Sequence, residues 1–138
     1  MADKVQLRIV TPTRLVVDEE VDEITAPGVL GQFGVLPNHI AFLTLLQAGE
    51  LAYKQGGRVT RLAIGGGYAE VLDNVMTVLA DAAEFAGEID VGRAQRAKEQ
   101  AEKSLAAVNT DDREFALCEA ALARALARLE VASREGRR

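Results

Sequence analysis

Several residue types are scarce in this 138-residue chain, and each scarcity removes a class of function. There is one cysteine, Cys118, one histidine, His39, no tryptophan, and six other aromatic residues. A single thiol excludes a disulfide framework; within a helical apolar stripe it acts as a small hydrophobe and suits a reducing compartment. One histidine and one cysteine cannot hold zinc unless carboxylates complete the site. A nucleophilic system would have to bring His39 to Cys118, Ser104 or Ser133, all on helical segments distant in sequence. Few aromatics and a net charge of −5 leave neither the stacking surfaces nor the positive field that a nucleic-acid binder needs. No apolar run approaches bilayer length and no charged-then-apolar leader opens the sequence, so no direct membrane insertion is expected and any membrane association goes through partners.

What is present is unevenly distributed. Ten of the twelve glycines and all three prolines lie in residues 1–88, while residues 89–138 are rich in Ala, Arg and Glu. The first part holds 12 acids and 6 bases, the second 9 and 10. From Arg124 onward five arginines face only Glu130 and Glu135, a basic end on an acidic chain, suited to an acidic protein surface or a phosphate. A chain of this length buries about two-thirds of its unfolded surface, enough for one core and an attachment. The expected organisation is therefore a β domain over 1–88 followed by a helical appendage over 89–138.

The β domain reads as a sandwich of roughly nine or ten short strands separated by turn chemistry. Val5, Leu7 and Ile9 alternate with Gln6, Arg8 and Val10, and Phe42 to Leu46, Leu51 to Tyr53, Val59 to Ile64, Tyr68 to Leu72 and Val75 to Leu79 continue the series. Pro27-Gly28, Ala48-Gly49, Gly56-Gly57, Gly65-Gly66-Gly67 and Asp73-Asn74 read as turns or bulges, since Gly and Asn tolerate positive φ. Downstream, Asp90 is placed to cap a helix carrying Ala94, Ala97, Ala101, Leu105 and Val108 on one face. Asp111 and Glu114 resemble a capping box opening a second helix with the stripe Phe115, Cys118, Leu122, Ala125 and Leu129. The short link argues for an antiparallel α-helical hairpin, giving an α+β fold overall. Alanine-rich faces bury little area, so such a hairpin is marginal alone and able to detach.

Among the motifs, Gly65-Gly66-Gly67 lacks the Lys-Ser/Thr and following helix of a phosphate loop and reads better as a strand bulge. The segment from Gly31 through Gln32, Phe33 and Pro37-Asn38-His39 to Thr44 is a glycine-hinged strand and proline turn presenting Asn38 and His39 at a domain edge. Taken with Gly65-Gly66-Gly67-Tyr68-Ala69-Glu70-Val71, Asn74 to Asp81, and Ile89-Asp90-x-x-Arg93-Ala94 before a helical hairpin, it resembles the epsilon subunit of bacterial F-type ATP synthase. The resemblance covers essentially the whole chain in order.

That resemblance implies a non-catalytic rotor subunit, peripheral on the cytoplasmic face of the bacterial inner membrane. It also implies attachment to the gamma subunit and the c-ring, with Gln32, Asn38 and His39 on that side. The hairpin would either fold on the sandwich or extend toward the beta (and alpha) subunits and block ATP hydrolysis, with Arg113, Arg124, Arg128 and Arg134 meeting beta. The bland alternative for these arginines is a solvated face with Glu130 and Arg134 as an i,i+4 pair. No cofactor is required, but the Ile89-Asp90-x-x-Arg93-Ala94 motif resembles a regulatory ATP site. On that view Ile89 and Ala94 contact adenine, Asp90 accepts from its amino group, Arg93, Arg124 and Arg128 face the phosphates, and Glu84 lies near the nucleotide. The bland alternative is that Asp90 only caps a helix. Gln100 stands where stronger binders have arginine; losing one hydrogen bond to a charged group lowers affinity by about tenfold or more. Gly92, in the first helical turn, costs about 1 kcal/mol relative to alanine and reads as a loosened hinge. The competing functions are a free-standing β-sandwich binding module with a helical appendage and a small hydrolase using His39.

Overall fold

Strand β1 (Val5–Val10) starts a series of eight in the computed structural model, which describes residues 3–107 and 112–135. It is followed by β2 (Leu15–Val21), β3 (Glu23–Gly28), β4 (Gly31–Val35), β5 (Phe42–Gln55), β6 (Arg58–Leu72), β7 (Val75–Ala80) and β8 (Ala83–Phe85). A single 3-10 turn at Ala86–Glu88 leads to helices α1 (Val91–Ala107) and α2 (Asp112–Glu135), which pack on one another. The strands hydrogen-bond in the order β2-β1-β7-β6-β5-β3-β4, with β8 also on β6. All pairs are antiparallel except β1 with β7.

The two layers of the sandwich come from one continuous ladder that bends. The first halves of β5 and the second half of β6 lie with β7, β1 and β2; their other halves lie with β3, β4 and β8. The bend falls at the glycine triplet. Gly66 and Gly67 take φ of +113° and +132°, and a Cβ on Gly67 would stand 2.1 Å from the Leu79 carbonyl oxygen, a place only glycine can occupy. Opposite it, Gly65 N donates to Ala82 O at 2.8 Å and Asp81 N to Gly66 O at 2.9 Å, so pairing continues through the corner.

This corrects the expected count of nine or ten short strands to eight, two of which run 14 and 15 residues. Ala48-Gly49 and Gly65-Gly66-Gly67 bend the chain without reversing it, because β5 and β6 keep the same register on both sides. Gly56-Gly57 and Asp73-Asn74 are genuine reversals, with Gly56, Asp73 and Asn74 at φ of +62°, +50° and +63°. The acidic cluster Asp18 to Glu20 lies inside β2, facing solvent.

Alternation puts Leu7, Ile9, Ile24, Leu51, Leu62, Ile64, Met76 and Val78 between the layers, each essentially without exposure. At roughly 1.5–3 kcal/mol per fully buried aliphatic side chain, this core dominates the molecule. The hairpin is different: α1 buries only Ala94 and Ala101, and α2 only Ala125, Ala127 and Val131. The expected α2 stripe is shifted accordingly, since Phe115 is 44% and Leu126 45% exposed, while Val131 forms a separate cluster with Ala63, Ala86 and Ile89. Val108, Asn109, Thr110 and Asp111, and with them the expected second cap, lie outside the described residues, as do Arg137 and Arg138.

Candidate functional site

Where the sandwich meets the hairpin, a cleft of about 360 Å3 is lined by Glu84, Glu88, Asp90, Arg93, Ala94, Ala97 and Arg128. β8 supplies Glu84, the 3-10 turn Glu88, the start of α1 Asp90, Arg93 and the alanines, and α2 Arg128. Asp90 caps α1: its Oδ1 accepts from Arg93 N at 3.0 Å while its carbonyl accepts from Ala94 N at 2.9 Å. The helix start thus presents its positive end to the cleft.

The carboxylates at the rim are paired. Arg128 Nε donates to Glu84 Oε1 at 2.5 Å. Glu88 Oε1 accepts from Arg14 Nη2 and from Phe85 N, both at 3.0 Å. The Arg14 bond first, then that amide, hold the Glu88 carboxyl below its ordinary value. Arg93 is the exception, since its guanidinium makes no ion pair among the described residues. The cleft thus sets one guanidinium without an ion pair, a second shared with Glu84 and a helix N-terminus beside three carboxylates and two alanines.

Residues 4–86 match the family model described as ATP synthase, delta/epsilon chain, beta-sandwich domain, and residues 88–133 match that described as ATP synthase, delta/epsilon chain, long alpha-helix domain. The chain belongs to the ATP synthase delta/epsilon family. It is 51% identical over 138 residues to an ATP synthase epsilon chain of Geotalea daltonii, covering all of both chains. With one of Syntrophobacter fumaroxidans it is 56% identical over 135 residues, covering 97% of this chain and 99% of that one. Its structure is similar to a chain of the Euglena gracilis mitochondrial ATP synthase (OSCP/F1/c-ring), with TM-score 0.82, 26% identity and coverage of 96% and 83%. A chain of the Tetrahymena thermophila mitochondrial ATP synthase central stalk/c-ring shares the fold alone, at TM-score 0.66 and 14% identity over 92% and 95%.

In this delta/epsilon chain the expected residues do not all fall together. Glu84, Asp90, Arg93, Ala94 and Arg128 come together in the cleft. Ile89 does not line it; it is buried against Ala63, Ala86 and Val131. Arg124 lies to one side, its Cδ 3.3 Å from where a Cβ on Gly65 would stand. Gln100 also lies off the cleft, within reach of Ser104 Oγ at 3.4 Å. At the far edge, Gln32 is exposed on β4, and Asn38 (φ +66°) and His39 sit in the loop before β5. His39 Nδ1 is 2.7 Å from Ile40 O, and its ring packs edge-on to Phe42. Leu36 and Ile40 beside them are 58% and 79% exposed, an apolar tip. Arg113 is exposed near the start of α2, and Arg134 pairs with Glu130 and with Glu50 of β5.

Glu88, Ala97 and Arg14 were not anticipated. Ala97 was legible, three residues and so about one helical turn after Ala94 on the same side; Glu88 and Arg14 carry no signal, because their pairing spans 74 residues.

Proposed function

We propose that this chain works as the epsilon-type subunit in the central stalk of an F-type ATP synthase, a non-catalytic part that couples rotation and restrains ATP hydrolysis. The sandwich would attach to the gamma subunit and the c-ring through the edge bearing Gln32, Asn38 and His39, whose apolar tip favours such burial. This sets the chain at the cytoplasmic face of the bacterial inner membrane, held peripherally by its partners. Among the described residues no helix is long and apolar enough to cross a membrane.

The observation carrying the regulatory part is the thin attachment of the hairpin. Its buried contacts are four alanines and one valine, so small a free energy that another surface can compete for the helices. Extended, α2 would offer Arg113, Arg124, Arg128 and Arg134 to acidic groups of the beta subunit, with alpha alongside. Truncation after Glu88 in the assembled complex is expected to raise ATP hydrolysis while assembly persists; a truncated complex as inhibited as the full one removes the brake.

For the cleft, a purine nucleotide is the best-fitting ligand, as a regulator and not a required cofactor. Arg93 and the start of α1 would take phosphates, and Ala94 and Ala97 the base. Ile89 would act by seating the linker instead of touching adenine. Ligand that binds only the folded form favours it by RT ln(1 + [L]/Kd), about 2.7 kcal/mol at a hundredfold excess. Calorimetric titration of the full chain with ATP should give heat that Arg93→Ala abolishes; no heat at millimolar ATP removes the nucleotide and leaves the rotor role standing.

A further inference from the structure

Three residues of α2 lie over three residues of the sheet in matching order. Glu50 opposes Ala63 across β5 and β6, and Ala63 opposes Glu84 across β6 and β8, so the three make one row perpendicular to the strands. Above them come Arg128 on Glu84 at 2.5 Å, Val131 in the cluster with Ala63, and Arg134 with Nη1 3.5 Å from Glu50 Oε2. The spacings agree: three helical residues rise about 4.5 Å, and neighbouring strands stand about 4.8 Å apart. Steps of three also turn the flanking positions to either side of Val131, so the valine points into the sheet and the two long arginine side chains straddle it.

The rung at Glu50 differs from the rung at Glu84. Glu50 is only 16% exposed, and its Oε1 accepts no hydrogen bond, facing Arg61 Nε at 3.5 Å. Arg61 and Arg134 therefore hold it by charge, and it lies outside the cleft. Glu84 and Arg128, by contrast, both line the cleft, where a bound anion would compete for the same guanidinium.

We propose that Glu50, Ala63 and Glu84 form a clasp that fixes the register of the parked α2, in which the Glu50–Arg134 rung is independent of ligand and holds the helix end while the Glu84–Arg128 rung is exchanged for a bound anion. This rests on the mobile hairpin proposed above. Val131 on Ala63 sets the register because only a small residue leaves room for it. The Glu50 rung keeps the end of α2 down while Arg128 changes partners, so ligand can enter without releasing the hairpin.

The test uses the full chain with spin labels on native Cys118 and on a cysteine introduced at Gly57, an exposed turn position with nothing nearby. Glu50→Gln and Arg134→Gln are each expected to raise the separated fraction about threefold, and the double variant to add nothing further. Ala63→Leu, on the outer face and away from the core, is expected to raise it about fivefold or more by blocking Val131. Glu130→Gln, which removes only the intrahelical partner of Arg134, should leave the distribution unchanged. Silent charge variants, or effects that add as for independent sites, overturn the clasp. If truncation after Glu88 still releases hydrolysis in that case, only the clasp is lost; if truncation also fails, the mobile hairpin falls with it.

Discussion

The sandwich and the hairpin of this chain use opposite packing strategies. Between its layers the sandwich buries leucine, isoleucine, valine and methionine on every strand from β1 to β3 and β5 to β7. The hairpin buries four alanines and Val131, and holds itself to the sheet with two ion pairs. Large aliphatics on long ladders make a domain that stays folded; methyl groups and charge pairs make a contact that can be given up. The contrast teaches where each region fails, and the failures can be separated.

The strongest break is at the corner of the sandwich. Gly67→Ala sets a methyl group 2.1 Å from a carbonyl oxygen at φ +132° and should cost about 3 kcal/mol or more, read as a lowered denaturant midpoint for both regions together. The hairpin should fail alone in Val131→Asp. Burying a charge against Ala63, Ala86 and Ile89 costs several kcal/mol unless the contact opens, so amide protection should vanish from α2 and persist in β1, β6 and β7. Both regions surviving unchanged would erase the distinction.

Acid should loosen the molecule at two places, the linker at Glu88 and the β2–β3 connection at Asp22. The Glu88 carboxyl is held low by Arg14 and the Phe85 amide, and Asp22 by Lys4 and the Gly56 amide. A group whose folded value is depressed gives stability that is present above its unfolded value and lost as pH falls through the folded one. Stability should therefore decline as pH drops below about 4.5, and the decline should flatten in Glu88→Gln and Asp22→Asn; an unchanged acid limb in both would sink this account. The smallest effect belongs to Gly92→Ala. Its added Cβ meets only the flexible end of Arg96, at 3.3 Å, and the Asp90 carboxylate, so α1 should gain up to about 1 kcal/mol and hairpin release should slow in a fluorescence assay. Unaltered release kinetics would discard the hinge.

Much of this contrast was legible in the residues. Val5, Leu7 and Ile9 announce a half-buried strand by period alone, and Asp90 before an alanine series announces a capped helix. The corner was not legible, since glycines that bend a strand and glycines that end one share the same chemistry, and only the partner strand decides. Glu50 was hidden for the same reason. It follows Ala48-Gly49, which reads as a turn, yet it stands mid-strand on the face that receives α2. Ile89 was misplaced within its motif because local sequence cannot tell a side chain turned toward a cleft from one turned back onto Ala63. Val131 was left out of the α2 stripe because period alone does not say which of two apolar neighbours meets a sheet.

The bent β5–β6 ladder bears on how force passes through the molecule. Two stacked sheets joined only by loops slide past one another under a sideways load, resisted by soft side-chain contacts. Here the same two backbones run through both layers, stitched to one another by backbone hydrogen bonds on either side of the bend. A twist delivered at the tip carrying His39 reaches the α2-facing layer along covalent chain, so the base turns as a rigid bracket whichever position the helices take.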